Sequence, residues 1–203
     1  MTEQDYSIYL RAFKEEDYKQ INIWRNDREI QKLVSSPFRY VSEAIEREWV
    51  KSKMMDNRHD IYLAICLKGN DKMIGYVSIN NINYISRNAE GGGIILDKEY
   101  QDGIARHEVG MLVRELVFEQ LNLIRYEGRC LALHTASRII MEATGYKLEG
   151  ILRKAVYKDG EYHDQCVYSL LKEDYDNWMN TDQYTLKAFA HKVKAIKKIY
   201  DNR

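Results

Sequence analysis

Residues 91–121 carry the pattern that most constrains this chain: an apolar strand, a loop with one glycine, and a long amphipathic helix. Residues 91–96 read as a buried strand, and residues 97–105 form the turn that follows it. The helix has an apolar face formed by Val109, Leu112, Val113, Leu116, Val117 and Leu121. A loop that opens a helix gathers unpaired backbone N–H groups and the positive end of the helix dipole. The pattern therefore predicts an anion site, of the kind that binds phosphate, at the start of this helix.

Two common phosphate-binding motifs do not account for this region. A Walker loop ends in Gly-Lys-Ser or Gly-Lys-Thr, and the sequence contains neither. A dinucleotide-binding turn places Gly-x-Gly-x-x-Gly between a strand and a helix, whereas Gly91-Gly92-Gly93 stands inside the strand itself. The predicted anion site is therefore of another type.

Further strands stand before and after this unit. The predicted strands are residues 61–66, 72–79, 126–133, 151–157 and 162–171, of which the first two and the last two form hairpins. Pro37, the single proline, separates a helical stretch at 15–33 from a second helix for which Ser42 is the predicted cap. Strands on both sides of a strand–helix–strand unit predict an α/β fold, with a mixed β-sheet and helices on both faces.

The composition narrows the class of partner. The chain has 203 residues, enough for one domain with a real core, and its 31 basic and 31 acidic residues cancel. The chain therefore has no net charge that would attract nucleic acid or an anionic membrane. No apolar run approaches the ~20 residues of a membrane span, and the polar, acidic start of the chain does not read as a secretory signal. Three scattered cysteines lack metal-ligand spacing, so we expect no metal and a reducing cytoplasm.

Short motifs along the chain resemble, in order, the GNAT superfamily of acetyl-CoA-dependent N-acetyltransferases. The similarity is to its ribosomal-protein, spermidine and aminosugar acetyltransferase-like subgroup, and it spans residues 6–175. The motifs are Tyr9-Leu10-Arg11, Trp24-Arg25-Asn26-Asp27, Ile74-Gly75-Tyr76-Val77, Asn122-Leu123-Ile124-Arg125, the run 142–150 and the run 152–164. The resemblance implies a GNAT-like mixed sheet and direct transfer of acetyl from acetyl-CoA to a primary amine. A protein amino terminus, a polyamine and an amino sugar all remain open as the acceptor.

The resemblance places the coenzyme A site on the strand end, the loop and two helix starts. The implied cofactor-binding residues are Ile95, Leu96, Gln101, Gly103, Ile104, Ala105, Arg106 and His134. The family loop has the form Gln/Arg-x-x-Gly-x-Gly/Ala, and without a gap its two glycine places fall on Ile104 and Arg106. One deletion moves these places to Gly103 and Ala105. Arg106 either pairs with phosphate or blocks the close approach that glycine allows.

Amide formation from a thioester needs a neutral amine, a stabilised oxyanion and a proton for the departing thiolate. The resemblance implies that the strand at 94–96 diverges from its neighbour, so that a backbone N–H holds the oxyanion. Glu90 is predicted to draw a proton from the amine, although a solvated strand end suits it as well. Ser137 is the candidate acid near the sulfur, or it only hydrogen-bonds a helix start. The place of the family's tyrosine acid falls on Met141, which cannot transfer protons, and His134 replaces a binding asparagine.

The acceptor side carries four candidate residues. Trp24 and Arg25 lie where the family shapes the acceptor pocket, and His163 and Asp164 lie on the last hairpin. Ordinary packing of a tryptophan and alternation along a half-exposed strand explain the same residues. The degenerate loop and Met141 leave a second class open, a GNAT-like domain that binds coenzyme A or a partner without turnover.

The chain continues beyond the resemblance. We predict an acetyltransferase-like domain at 1–175 and an amphipathic helical extension at 176–203. Its apolar stripe is Leu186, Phe189, Val193, Ile196 and Tyr200, with most lysines on the opposite side. Such a helix either lies on a membrane or nucleic acid or packs on its own domain or a twin subunit. We expect packing, and a homodimer is one way to achieve it.

Overall fold

The computed structural model describes residues 6–101, 103–181 and 183–202. Its centre is a seven-stranded mixed sheet in the order β1-β2-β3-β4-β5-β7-β6. β4 and β5 run parallel, and the other neighbours run antiparallel. The strands are β1 (Ile8–Ala12), β2 (Ile61–Leu67), β3 (Met73–Asn83), β4 (Asn88–Leu96), β5 (Arg125–Leu131), β6 (Lys147–Lys158) and β7 (Glu161–Leu171). The predicted mixed sheet is confirmed.

Helices cover both faces of this sheet, as predicted. They are α1 (Tyr18–Asn26), α2 (Arg28–Gln31), α3 (Glu43–Met55), α4 (Ile104–Glu115), α5 (Thr135–Ala143), α6 (Lys172–Asn180) and α7 (Leu186–Asp201). α1 and α3 bury Ile21, Trp24 and Val50 on one side of the sheet, hereafter the α1 face. α4 and α6 bury Val109 and Trp178 on the other side, hereafter the α4 face, where α5 also lies.

The first helical stretch divides where the sequence predicted one helix at 15–33. Asp27 has extended backbone angles and ends α1. Its carboxylate then caps α2 by accepting the amides of Glu29 at 2.9 Å and Ile30 at 3.3 Å. The predicted cap of α3 is confirmed, because the Ser42 hydroxyl accepts the amide of Ile45 at 3.3 Å.

β4 loses its second partner partway along its length. Pairing between β4 and β5 ends at Gly91 and Gly128, although β4 continues to Leu96 and β5 to Leu131. A bulge interrupts the β3–β4 register here and contains Gly93 at a φ of 96°, a left-handed angle that suits glycine. Residues 92–96 of β4 and 129–131 of β5 therefore border a gap, called the opening below. The resemblance implied this divergence.

The predicted hairpins join β2 to β3 and β6 to β7, and both are confirmed. β5 is shorter than the predicted strand at 126–133. After Leu131 the chain turns, with the amide of His134 donating to the carbonyl of Leu131 at 2.9 Å, and α5 begins at Thr135.

The C-terminal segment packs on the domain, as predicted. α7 contacts α5 and α4, burying Phe189, while Lys187 and Lys194 remain exposed. α6 runs across residue 175, and the division into 1–175 and 176–203 stays a prediction, as does a homodimer. In the described part of the chain, no helix is both long and apolar enough to cross a bilayer.

Candidate active site

The opening leaves one edge of β4 without a strand partner. β3 holds the other edge, where Tyr76 pairs with Ile95 and Gly75 with Leu96. Leu96 packs into the core of the α4 face and Ile95 against the α1 face, so both offer backbone rather than side chain to the opening. Since alternate N–H groups of a strand point to opposite edges, this segment can hold an oxyanion or an extended ligand.

The loop after β4 delivers the start of α4 to the outer end of the opening. The Gln101 side-chain amide donates to the carbonyl of Leu96 at 3.0 Å and ties the loop to the strand. Gly103 precedes α4 at a φ of 93° and supplies no capping side chain. Among the described residues, the N-cap therefore offers no side chain to the amides of Ala105 and Arg106, and amides at a helix start bind anions.

Two basic side chains approach each other between the starts of α4 and α5. Arg106 is half-buried in the first turn of α4, and this removal from water lowers the pKa of its guanidinium. Burial, followed by the positive charge of Arg106, lowers the pKa of His134. In the described residues no acidic side chain pairs with Arg106, and Ile104 beside it is exposed. A bound anion would offset this charge, so the residues present fit a pyrophosphate.

Ser137 lies beside the opening at the start of α5. Its backbone amide donates to Nδ1 of His134 at 3.3 Å, so His134 caps this helix. Burial raises the pKa of the Cys130 thiol, on the unpaired end of β5, to about 11, and a hydrogen bond with Ser137 opposes this increase. The Ser137 side chain therefore faces the β5 side of the opening.

Side chains from the α4 face crowd the inner end of the opening, where Gly91 pairs with Gly128. A Cβ on Gly91 would lie 2.9 Å from the phenol oxygen of Tyr126. A Cβ on Gly128 would lie 3.3 Å from Cε of Met141 and 3.6 Å from Cε1 of Tyr146. Burial raises the pKa of Tyr146 to about 12, so its phenol stays protonated near neutral pH. Sequence reasoning missed both tyrosines; the available signal was 16 tyrosines against 4 phenylalanines.

Glu90 lies at the same inner end but on the α1 face, opposite Asn80 of β3. Its carboxylate is 3.6 Å from the guanidinium of Arg129, which also pairs with Glu127 at 2.7 Å. Oδ1 of Asn80 is buried and has no hydrogen-bond partner among the described residues. A carboxylate and an amide carbonyl therefore stand across one strand pair, where they can accept the hydrogens of an amine.

Trp24 and Arg25 hold the loop after β4 in place through contacts on the α1 face. Trp24 is 1% exposed, and its indole N–H donates to Asp97 at 3.1 Å. Arg25 lies 2.8 Å from the buried carboxylate of Glu46 and covers the ring of Trp49 at 4.5 Å. These contacts connect α1 to the loop after β4 and to α3. Direct contact of Trp24 or Arg25 with an acceptor stays a prediction.

His163 and Asp164 lie on β7, the strand next to β5, and the carbonyl of Asp164 accepts the amide of Ala132 at 2.9 Å. The His163 ring is 3.2 Å from the carbonyl of Lys158. Asp164 accepts the amide of Lys154 at 2.8 Å, and Lys154 has a left-handed φ of 51° within a bulge of β6. Because neighbouring strand residues point to opposite faces, the two side chains do not share one pocket wall. The structure thus brings Arg106, His134 and Ser137 together, and contact of His163 or Asp164 with an acceptor stays a prediction.

Comparison with known proteins agrees with this geometry. The profile described as acetyltransferase (GNAT) domain matches residues 7–147. An N-acetyltransferase of Bacillus subtilis (strain 168), YnaD, is 22% identical over 169 residues, 83% of this chain and 96% of its own length. The ribosomal-protein-serine acetyltransferase of Escherichia coli (strain K12) is 24% identical over 165 residues, 80% of this chain and 92% of its own.

A solved structure shows the same fold. Spermidine N-acetyltransferase from Vibrio cholerae, in complex with CoA and spermine, has a TM-score of 0.77 and 24% identity, covering 84% of this chain and 99% of that one. Fold, opening and profile together define a class. The chain belongs to the GNAT acetyltransferase family, and it is an acyltransferase of that family.

Proposed function

We propose that this protein transfers the acetyl group of acetyl-CoA directly to a primary amine. The observation that carries the proposal is the opening between β4 and β5, which leads to a half-buried Arg106 in the first turn of α4. The first-turn amides and Arg106 bind the pyrophosphate, with His134 beside them. The pantetheine arm adds along the free edge of β4, next to the backbone of Ile95 and Leu96.

The chemistry follows from the two sides of the opening. The amine enters from the α1 face, where Glu90 takes its proton directly or through water. The amine nitrogen attacks the thioester carbonyl, and an amide N–H of β4 holds the oxyanion as the C–N bond forms. The C–S bond then breaks, and Ser137 donates a proton to the thiolate from the opposite side. Ser137 regains a proton from water, and Glu90 releases the proton of the amine to water. Asn80 orients the amine through its carbonyl oxygen, which has no hydrogen-bond partner among the described residues.

The acceptor class remains a primary amine of one of three kinds: a protein amino terminus, a polyamine or an amino sugar. Support for the first two comes from relatives that act on a ribosomal protein and on spermidine, as their names state. Glu90 and Glu127 favour a cationic acceptor, but Arg129 lies between them and offsets this charge. A cytoplasmic location and three reduced cysteines belong to the same proposal.

One observation favours a second candidate, a domain that binds coenzyme A without turnover. Met141, in the place of the family's tyrosine acid, contacts the inner end of the opening at Gly128, so the position nearest the thiolate holds no proton donor of that kind. Arg106 also occupies the second glycine position of the family loop when the loop is aligned without a gap.

The test has two stages. Calorimetry first measures binding of coenzyme A at up to about millimolar concentration, which corresponds to ~4 kcal/mol of binding free energy. Release of free thiol from acetyl-CoA is then measured with spermidine, glucosamine and a peptide with a free amino terminus. We expect binding and turnover with one acceptor class. Absence of binding refutes the cofactor assignment.

Binding without turnover on all three acceptor classes favours the second candidate. The double substitution Arg106→Gly with Met141→Tyr then distinguishes an active acetyltransferase from a domain that binds coenzyme A without turnover. Activity gained only in the variant identifies the natural protein as the degenerate form.

A further inference from the structure

α7 contacts both helices that border the opening. Phe189 is 6% exposed and stacks on the ring of His107 in α4, with ring centres 4.6 Å apart. At the other end of α7, the Tyr200 hydroxyl donates to the Glu142 carboxylate in α5. The guanidinium of Arg138, also in α5, covers the Tyr200 ring at 5.0 Å. One helix therefore ties α4 to α5.

Two of the residues that contact α7 are the sequence neighbours of site residues. His107 follows Arg106, and Arg138 follows Ser137. Successive residues of a helix differ in direction by about 100°, so a helix can meet α7 with one residue while its neighbour faces the opening. α7 thus holds the two helix starts from the side remote from the opening.

The sheet itself does not fix the spacing of these helix starts. β4 and β5 share no ladder beyond Gly91 and Gly128, so the strand ends that carry α4 and α5 have no hydrogen bonds to each other there. α5 is anchored to β7, since the Tyr168 hydroxyl donates to Glu142 at 2.9 Å. α4 is on the far side of the gap, and the stack of Phe189 on His107 links it to this anchored unit.

We propose that α7 is a brace that sets the spacing between the starts of α4 and α5, and with it the affinity for coenzyme A. The inference rests on the proposed function, because the ligand that senses the spacing is coenzyme A. α7 lies beyond residues 6–175, the stretch that resembles the family, so the brace is an addition to that stretch. Phe189 and Tyr200 are positioning residues that act through α4 and α5.

The experiment compares two cavity variants of the full chain. Phe189→Ala removes the ring from the brace, whereas Val50→Ala removes a fully buried side chain from α3 on the α1 face. Both lower the melting temperature, since both leave a cavity. Calorimetric titration with coenzyme A follows, at a temperature where circular dichroism shows each variant folded. Phe189→Leu, which keeps most of the buried volume, serves as the conservative variant.

We expect Phe189→Ala to weaken coenzyme A binding roughly five- to tenfold, in the range of couplings carried by packed side chains. Val50→Ala leaves the α4–α7 contact untouched, and Phe189→Leu keeps an apolar side chain beside His107, so both should bind within about twofold of the natural protein. Hydrogen exchange should quicken at 103–107 and 134–138 in Phe189→Ala without ligand.

Equal affinity of Phe189→Ala and Val50→Ala overturns the brace. So does a loss of affinity in both that follows only their melting temperatures. If the natural protein itself fails to bind coenzyme A, the proposed function falls and the brace falls with it as a determinant of affinity.

Discussion

The two helical layers differ in how they hold buried charge. On the α1 face the charges are paired. Arg11 donates to both oxygens of Asp17 at 2.7 and 2.9 Å, and this contact raises the pKa of the guanidinium. Arg25 lies 2.8 Å from Glu46, a carboxylate that is 1% exposed. Each of these two arginines is met by an acidic side chain, and both pairs fasten α1, α3 and the edge of the sheet together.

On the α4 face two arginines have no carboxylate partner among the described residues. Arg114 is 4% exposed and covers the ring of Trp178 at 4.7 Å. Burial lowers the pKa of its guanidinium, and no carboxylate among the described residues forms an ion pair with it. Arg106 shows the same shift for the same reason, and it lies at the outer end of the opening.

The difference separates charges that stabilise the fold from a charge available to a ligand. A buried charge with a partner is compensated in part, although burial still raises the pKa of Glu46 beside Arg25. An unpaired charge costs free energy that a bound anion recovers. Arg106 borders the opening and is therefore available to a phosphate. Arg114 is enclosed by aromatic rings and is not. We therefore propose Arg106, and not Arg114, as the arginine that binds the phosphate.

The largest effect should come from breaking a pair on the α1 face. Asp17→Ala leaves Arg11 without its partner, and removing one member of a buried pair costs about 3–5 kcal/mol of unfolding free energy. Urea denaturation measures this loss. The control is Glu48→Ala, which breaks the exposed pair with Lys51 at 3.2 Å and should cost under about 1 kcal/mol. Equal losses in the two variants would contradict the comparison.

His107 should make the α4 face sensitive to acid. Burial, followed by the positive charge of Arg114, lowers the pKa of His107 to about 4, while the backbone of Tyr184 acts in the opposite direction. An unfolded histidine titrates near ~6.5, so the unfolded chain binds a proton first and stability falls as pH drops from about 6.5 to 4. The shift corresponds to roughly 3 kcal/mol.

The measurement is unfolding free energy against pH, for the natural protein and for His107→Gln. The variant should show a shallower loss over this interval, because it has no proton to bind. Parallel curves would show that His107 is already charged in the fold or compensated by another group.

Much of the fold could be predicted from the sequence because its signals are local. The apolar face of α4 and the Ser42 cap depend on residues a few positions apart, and both are confirmed. The division of the first helix at Asp27 was missed, since helical spacing continues through it and only the capping geometry reveals the break. The opening was implied by resemblance alone, because pairing that stops at Gly91 leaves no local pattern.

The candidate site was less predictable because its members come from distant parts of the chain. Arg106 and His134 were selected for the loop and the helix start, and the structure brings them together. Asn80 and Tyr146 were missed. Each is an ordinary residue of a strand or turn, and its place at the inner end of the opening depends on register with β4 and β5.

Ser137→Ala tests which side of the opening supplies the proton to the thiolate. General acid catalysis contributes about 10²–10⁴-fold, so we expect kcat to fall at least tenfold while coenzyme A affinity is unchanged. Thr144→Ala is the control, since it removes a buried hydroxyl from the far end of α5 and should leave kcat within about twofold. Undiminished turnover in Ser137→Ala would transfer the role to the phenols of Tyr126 or Tyr146.

The smallest effect concerns Arg106, where the direction of the change in coenzyme A affinity decides between two roles of the side chain. If its guanidinium binds phosphate, Arg106→Ala and Arg106→Gly should both weaken coenzyme A binding about tenfold, or ~1.4 kcal/mol. The natural protein should also lose affinity with added salt more steeply than either variant, since one charge contact is gone from both.

If the side chain of Arg106 instead obstructs the approach to phosphate that glycine permits, Arg106→Gly should tighten binding of coenzyme A. Glycine loosens the helix start by up to ~1 kcal/mol relative to alanine, so the alanine variant isolates the loss of charge from the loss of helix propensity. Tighter binding in both variants would mean that the unpaired charge of the α4 face is an obstacle rather than a ligand for phosphate.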